Sequence, residues 1–305
     1  VKVLVTGISG YVGSALVPRL QRDGHDVRGF ARDPARVSAS VPVVGGDAVS
    51  GAGLAEAFDG VELAYYLIHS MEPSSDGSFA QRELRAARNV VRAAREAGVR
   101  RVVYLGGLVP AAEHAASAHL GSRHAVEEAI LGGISDSVAL RASIVIGARS
   151  RSFRFLVRLV ERLPILALPA WREHRTRPID GRDVLEYLAR AATLPEAGGR
   201  SLDIAGPDLV SYAGLIERIR DSMLVPRPAV RLGRLNITPV ASRVAAAIAG
   251  EEHALIGPLM EGLESDLLPR DDGAAALFGL RLHSLDAAIE RALREWEATE
   301  TLAAR

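Results

Sequence analysis

The chain has no cysteine. Disulfides, thiolate nucleophiles and thiolate-bound metals are therefore excluded. Lysine is almost as scarce. Lys2 is the only one, so nearly all positive charge is arginine. Formal net charge is zero, so no global field draws the chain to nucleic acid or to an anionic membrane. Aromatics total 5% and are not interleaved with basic residues, so no nucleic-acid partner is expected. No apolar run is long enough to span a bilayer. No basic-plus-apolar leader opens the sequence. The expectation is a soluble, cytoplasmic protein with no membrane partner. His114 with Glu113, and Glu251 and Glu252 with His253, lack metal-ligand spacing, so no metal is expected. Ser143 and Asp136 lack the nucleophile-elbow context of a hydrolase triad.

What is present is a rhythm. Lys2 to Thr6 is a short Val-rich run that reads as a buried strand. Gly7, Gly10 and Gly13 follow in GISGYVG, and Ser14 to Arg22 has helical spacing. A strand, a glycine-rich turn and a helix form the arrangement that seats a dinucleotide pyrophosphate. Gly7 permits the tight turn, Gly10 the close approach of backbone to phosphate, and Gly13 the packing of helix on strand. The free N–H groups at the helix start then face the anion. Further strands are predicted at Asp26 to Phe30, Val41 to Val44, Glu62 to Ile68, Arg101 to Leu105 and within Ser137 to Ile146. Helices are predicted at Leu54 to Phe58, Phe79 to Ala97 and His119 to Leu131, the last two stopped by Gly98 and by Gly132 with Gly133. Asp33 before Pro34 reads as another helix start.

Strands alternating with helices predict an α/β fold with a Rossmann-type, doubly wound parallel sheet. After Gly147 the rhythm changes. A helix is predicted at Phe153 to Leu163, then a loop with Pro164, Pro169 and Trp171. RPID (Arg177 to Asp180) with Gly181 to Ala192, and then Ser201 to Ile204, return to strand and helix. Ser211 caps a helix at Tyr212 to Ser222, and the last helix is expected at about Leu285 to Ala298. The chain thus divides into a core, 1–147 with 177–205 returning to it, and a smaller, mainly helical lobe, 148–176 and 206–305.

The order of motifs resembles the extended and atypical short-chain dehydrogenase/reductases. The stretches that carry the resemblance are VTGISGYVG, Gly46-Asp47, VVYLGG, LRASIVIG, PIDGRDV and DIAGPDLVSY. AYYLIHSM and HLGSRH resemble the YbjT-like and NmrA-like NAD(P)-binding subgroup more closely. The resemblance implies a cofactor seat at Gly7, Ile8, Ser9, Gly10, Tyr11, Val12 and Gly13. It adds Asp47 with Ala48 near the adenine, Asp47 being either an adenine contact or another cap. Leu67, Ile68 and His69 fall where the family's loop passes the ribose and nicotinamide.

Where NAD enzymes place an acid after the second strand, this chain has Phe30, Ala31 and then Arg32. A guanidinium suits a 2′-phosphate, so NADP(H) is expected over NAD(H). The other reading of Arg32 is a solvated charge. Asp33 could accept from the ribose, but its place before Pro34 favours capping. Typical members reduce carbonyls with Ser, Tyr and Lys, the last two spaced Tyr-x-x-x-Lys. No tyrosine here has Lys or Arg four residues later. His119 and Arg123 stand at the matching positions, one helical turn apart, and Gly107 stands where serine would. His119 is the candidate proton donor and Arg123 its cofactor-side neighbour, or both are ordinary polar residues at a helix start. Trp171 and His174 are candidate substrate contacts. The expected activity is hydride transfer between NADP(H) and a carbonyl or activated C=C of a small organic substrate. The alternatives are a non-catalytic dinucleotide sensor or assembly factor, or a non-redox lyase or isomerase. Oligomeric state is left open.

Overall fold

A computed structural model describes residues 1–38, 40–69, 79–109, 118–163, 165–168, 170–231 and 265–302. The side chains of 118–120, 167–168, 170–171 and 229–231 lie outside the described ones. In chain order the elements are β1 (Lys2–Thr6), α1 (Tyr11–Arg22), β2 (Asp26–Ala31), β3 (Val43–Gly45), α2 (Leu54–Phe58), β4 (Leu63–Tyr66), α3 (Phe79–Glu96), β5 (Arg101–Gly107), α4 (Ala118–Gly133) and β6 (Val138–Ala142). There follow β7 (Val145–Ile146), α5 (Arg151–Arg162), β8 (Leu166–Leu168), β9 (Arg175–Thr176), β10 (Ile179–Asp180), α6 (Gly181–Ala191) and β11 (Arg200–Ile204). The remainder are β12 (Val210–Ser211), α7 (Tyr212–Ser222), β13 (Ala229–Arg231), α8 (Gly273–Leu277) and α9 (Leu285–Glu297).

The main sheet has seven strands among the described residues, in the order β11-β6-β5-β4-β1-β2-β3. All its pairings are parallel. The strand order reverses between β1 and β4, so the switch point lies at their carboxyl ends. Side chains alternate across each strand. Val3 and Val5 pack with Leu16, Val184 and Leu188 beneath α1 and α6. Leu4 packs on the other face with Phe58, Val90 and Ile130 of α2, α3 and α4. Tyr65 and Tyr66 divide between the two faces for the same reason. Each fully buried aliphatic side chain contributes about 1.5–3 kcal/mol.

A third cluster joins α5, α7 and α9 through Phe153, Leu156, Leu215, Ile219, Ile289 and Trp296. Trp296 pins α9 down. Arg154 and Arg158 lie 4.3 Å and 4.9 Å from its ring centroid, and its indole N–H donates to Glu300 at 2.9 Å. Among the described residues no helix is long and apolar enough to cross a membrane.

The structure corrects several predicted limits. The sixth strand does not run on to Ile146. It breaks at Ser143, whose N–H goes to Ile204, and β7 pairs with β10 in a separate ribbon. RPID shrinks to Ile179–Asp180, since Pro178 has no N–H to offer a ladder. The loop before Trp171 contains β8, which pairs with β13. The helix α4 continues through Gly132 and Gly133, because Gly133 lies against Val91 of α3, where a Cβ has no room. The strand β5 likewise includes Gly106 and Gly107. The helix α1 begins at Tyr11 rather than Ser14. Asp33-Pro34 opens only a single 3-10 turn.

Candidate functional site

The site begins where β1 ends. Gly7 has φ +72, and an added Cβ there would lie 2.5 Å from the Leu67 carbonyl oxygen. Gly7 therefore lets the end of β1 close on the end of β4. A Cβ at Gly13 would run into the Gly7 carbonyl, which locks the first turn of α1 onto the loop. Gly10 differs. Its nearest obstacle is the Gly7 oxygen at 3.2 Å, and the residue is exposed. It caps α1 with no side-chain bond, and the first turn carries no acid. The opening N–H groups of a helix have no intrahelical partners. This opening fits a pyrophosphate: positive, walled by backbone, and open on the solvent side of Gly10.

The other loop residues divide by role. Ser9 is exposed and Val12 half-buried. Ile8 is buried and packs on Gly29 of β2, where a Cβ would lie 2.6 Å from its Cδ1. Only the backbone of Ile8 is thus available to a ligand. The Tyr11 hydroxyl fills the space that side chains at Gly147 and Gly181 would need. Arg32 stands at the exposed end of β2. Asp33 spends its carboxylate on the Ala35 N–H at 3.0 Å. Asp47 accepts from the Val49 N–H at 2.8 Å. Ala48 is buried, and its carbonyl accepts from Asn89 at 3.0 Å.

Leu67, Ile68 and His69 leave β4 beside the glycine loop. His69 Nε2 lies 3.4 Å from Arg123 Nη1, so the structure brings together two of the candidate residues. The position of Arg123 is held from behind. Tyr104 donates to its carbonyl at 3.2 Å, and neighbouring Ser122 donates to the buried Glu83 carboxylate at 2.8 Å. The ring of Tyr104 crosses Gly106, leaving 2.9 Å to a notional Cβ. The backbone of His119 lies in α4, one turn before Arg123, and its side chain is outside the described ones. The same holds for Trp171, whose backbone lies in the turn Ala170–Glu173. His174 is half-buried, and its carbonyl accepts from Tyr212 N–H at 2.9 Å.

No hydrogen bond joins a tyrosine to Lys2 among the described residues, and burial holds the phenols neutral. All six tyrosines have their pKa raised above 10.0, first of all by burial. Tyr11 and Tyr187 are pushed up to about 12. Lys2 starts β1, at the amino end of the strands and away from the glycine loop, where its ammonium faces Gly60.

Sequence reasoning missed two features. One is a buried ionic group. Arg141 donates to both oxygens of Glu127, at 2.8 Å and 2.5 Å, and lies 3.6 Å from Asp203. It ties α4, β6 and β11 together. Its signal was a charge inside the otherwise apolar strand VALRA. The other is Arg149, which reaches α1 from a loop 135 residues away.

Residues 7–133 match a family model described as NAD(P)H-binding. That segment of the chain is thus similar to NAD(P)H-binding proteins. A 3-beta-hydroxysteroid dehydrogenase of Mycolicibacterium neoaurum is 34% identical over 113 residues, 34% of this chain and 31% of that protein. The chain thus matches about a third of that curated relative's length. Solved structures of low identity share the fold. UDP-glucose 4-epimerase from Thermotoga maritima, solved with UDP-glucose, superposes with a TM-score of 0.75 at 14% identity, over 98% of this chain and 99% of that one. A short-chain dehydrogenase/reductase superfamily protein from Agrobacterium tumefaciens, with bound NAD, superposes with a TM-score of 0.68 at 19% identity, over 98% and 96%. The glycine loop lies within the matched segment, and the lobe built from α5, α7 and α9 lies beyond it.

Proposed function

We propose that the chain is an NADP(H)-dependent oxidoreductase of the YbjT-like and NmrA-like subgroup. It transfers hydride to or from a carbonyl or an activated C=C bond of a small, mainly apolar molecule. The observation that carries this reading is the open, acid-free start of α1 with Arg32, not an acid, just past β2. When bound, the cofactor supplies the hydride. Gly7 to Gly13 hold the pyrophosphate, Arg32 the 2′-phosphate, and Asp47 with Ala48 the adenine side. Arg123, beside His69, steadies the nicotinamide half. His119 gives the proton to the reduced substrate atom. The smaller lobe, 148–176 and 206–305, supplies the substrate side, with Trp171 and His174 as its contacts.

A second reading, a dinucleotide sensor without turnover, is favoured by one observation. The tyrosines are buried with raised pKa, and the only lysine is at the amino end of β1, away from the glycine loop. One assay separates the two. NADPH consumption is followed against a panel of small aldehydes, ketones and enones, with unmutated protein and His119→Ala. The oxidoreductase reading expects turnover that falls about 100-fold to 10,000-fold in His119→Ala, with NADPH affinity nearly intact. Full turnover in the variant with a flat pH profile removes His119 from the mechanism. Tight NADPH binding with no turnover on any substrate favours the sensor.

A further inference from the structure

We propose that Arg149 is a pyrophosphate-binding residue of the cofactor site. The inference rests on the cofactor reading above. Arg149 lies outside the segment matched as NAD(P)H-binding, in the short turn between β7 and α5. Tyr11 draws that turn to the start of α1, because its phenol packs against Gly147, two residues before Arg149. From there Arg149 Nη1 donates to Ser14 Oγ at 3.3 Å, and that hydroxyl donates to the Tyr11 carbonyl at 3.1 Å. The guanidinium therefore stands beside the first turn of the helix that follows the glycine loop.

Its present partner is neutral. The carboxylates that reach this corner, felt at the Tyr11 hydroxyl, are Glu295 and Asp180. Arg291 holds Glu295 at 2.5 Å, and Arg182 holds Asp180 at 2.6 Å. Among the described residues Arg149 makes no ion pair, and it is exposed. The start of α1 is itself positive and brings no acid of its own. Two positive features placed side by side repel each other unless an anion lies between them. A diphosphate uses both. The N–H groups of the turn take some of its oxygens, and the planar guanidinium fork takes others. The 2′-phosphate belongs to the far end of the nucleotide, at Arg32. The two arginines would then read different groups: Arg149 the diphosphate common to NADH and NADPH, Arg32 the phosphate found only in NADPH.

The test is a set of calorimetric titrations. Unmutated protein, Arg149→Gln, Arg149→Lys and Arg32→Ala are each titrated with NADH, NADPH, ADP-ribose and adenosine 2′-monophosphate. Arg149→Gln should weaken NADH, NADPH and ADP-ribose by a similar factor, about tenfold or more. It should leave adenosine 2′-monophosphate unchanged and flatten the salt dependence of binding. Arg149→Lys, which keeps the charge, should recover part of the loss. Arg32→Ala should show the reverse pattern, losing NADPH and adenosine 2′-monophosphate only. Arg149→Gln that binds NADH and ADP-ribose as tightly as unmutated protein overturns this proposal alone. Unmutated protein that binds none of the dinucleotides overturns the cofactor reading as well.

Discussion

At the glycine loop backbone is held against backbone, whereas at the first turns of α4 the chain is held by side chains. Gly7 and Gly13 stand so close to the Leu67 and Gly7 carbonyls that no side chain fits. On α4 the restraints are the Tyr104 hydroxyl on the Arg123 carbonyl, Ser122 on Glu83 and Arg123 near His69. The glycine loop, the proposed binding end, is rigid because one residue type satisfies it. The start of α4, the proposed chemical end, is adjustable, since each of these contacts is a pair that substitution can retune.

The largest effects should fall on the loop. Gly13→Val pushes a branched side chain into fixed backbone and should cost about 3 kcal/mol or more of stability in denaturant unfolding. Gly10→Val meets only the Gly7 oxygen, at 3.2 Å. It should lose much less stability than Gly13→Val yet lose NADPH affinity by about 100-fold or more, close to 3 kcal/mol. Equal stability in the two variants would erase the distinction drawn between the glycines. Normal NADPH binding by Gly10→Val would put the cofactor elsewhere.

A smaller effect is expected on α4. Arg123→Gln should leave the unfolding midpoint nearly unchanged and weaken NADPH by about tenfold. A destabilised variant with normal affinity would make Arg123 a packing residue instead.

The smallest effect appears only in alkali. Burial raises every tyrosine pKa, so the fold favours the neutral phenols. Their contribution is whole below pH 10 and is lost as the pH climbs from 10 through the raised values. Ultraviolet titration should therefore show no phenolate near pH 10 while the circular dichroism is native. Phenolate should appear together with unfolding. A phenol that titrates near 10 in the intact fold would return a usable acid to the chemical end of the site.

The same contrast explains what was legible in the sequence. The strand β1, the helices α2 and α7 and the stop at Gly98 follow from local pattern: apolar runs, a capping serine, a glycine at φ +73. The glycine loop was legible because a steric requirement leaves a mark at single positions. Asp33 as a cap was legible from Pro34 beside it. The strand β8 and the break that sets β7 apart from β6 were not, because the partners of β8 and β7 lie far along the chain and each strand is only two or three residues long. The seat of the Tyr11 hydroxyl depends on Gly147 and Gly181, and no spacing announces it. The meeting of Arg123 with His69 and the reach of Arg149 to Ser14 are equally long-range. Tertiary packing, not periodicity, decides those.

The most direct test of the account is the affinity of the unmutated protein for NADPH and NADH, measured side by side by nucleotide fluorescence, with Arg32→Ala as the control. A 2′-phosphate held by a guanidinium should make NADPH bind about tenfold or more tightly than NADH, and Arg32→Ala should bring the two nearly level. Equal affinities in the unmutated protein, or no binding of either nucleotide, would contradict it.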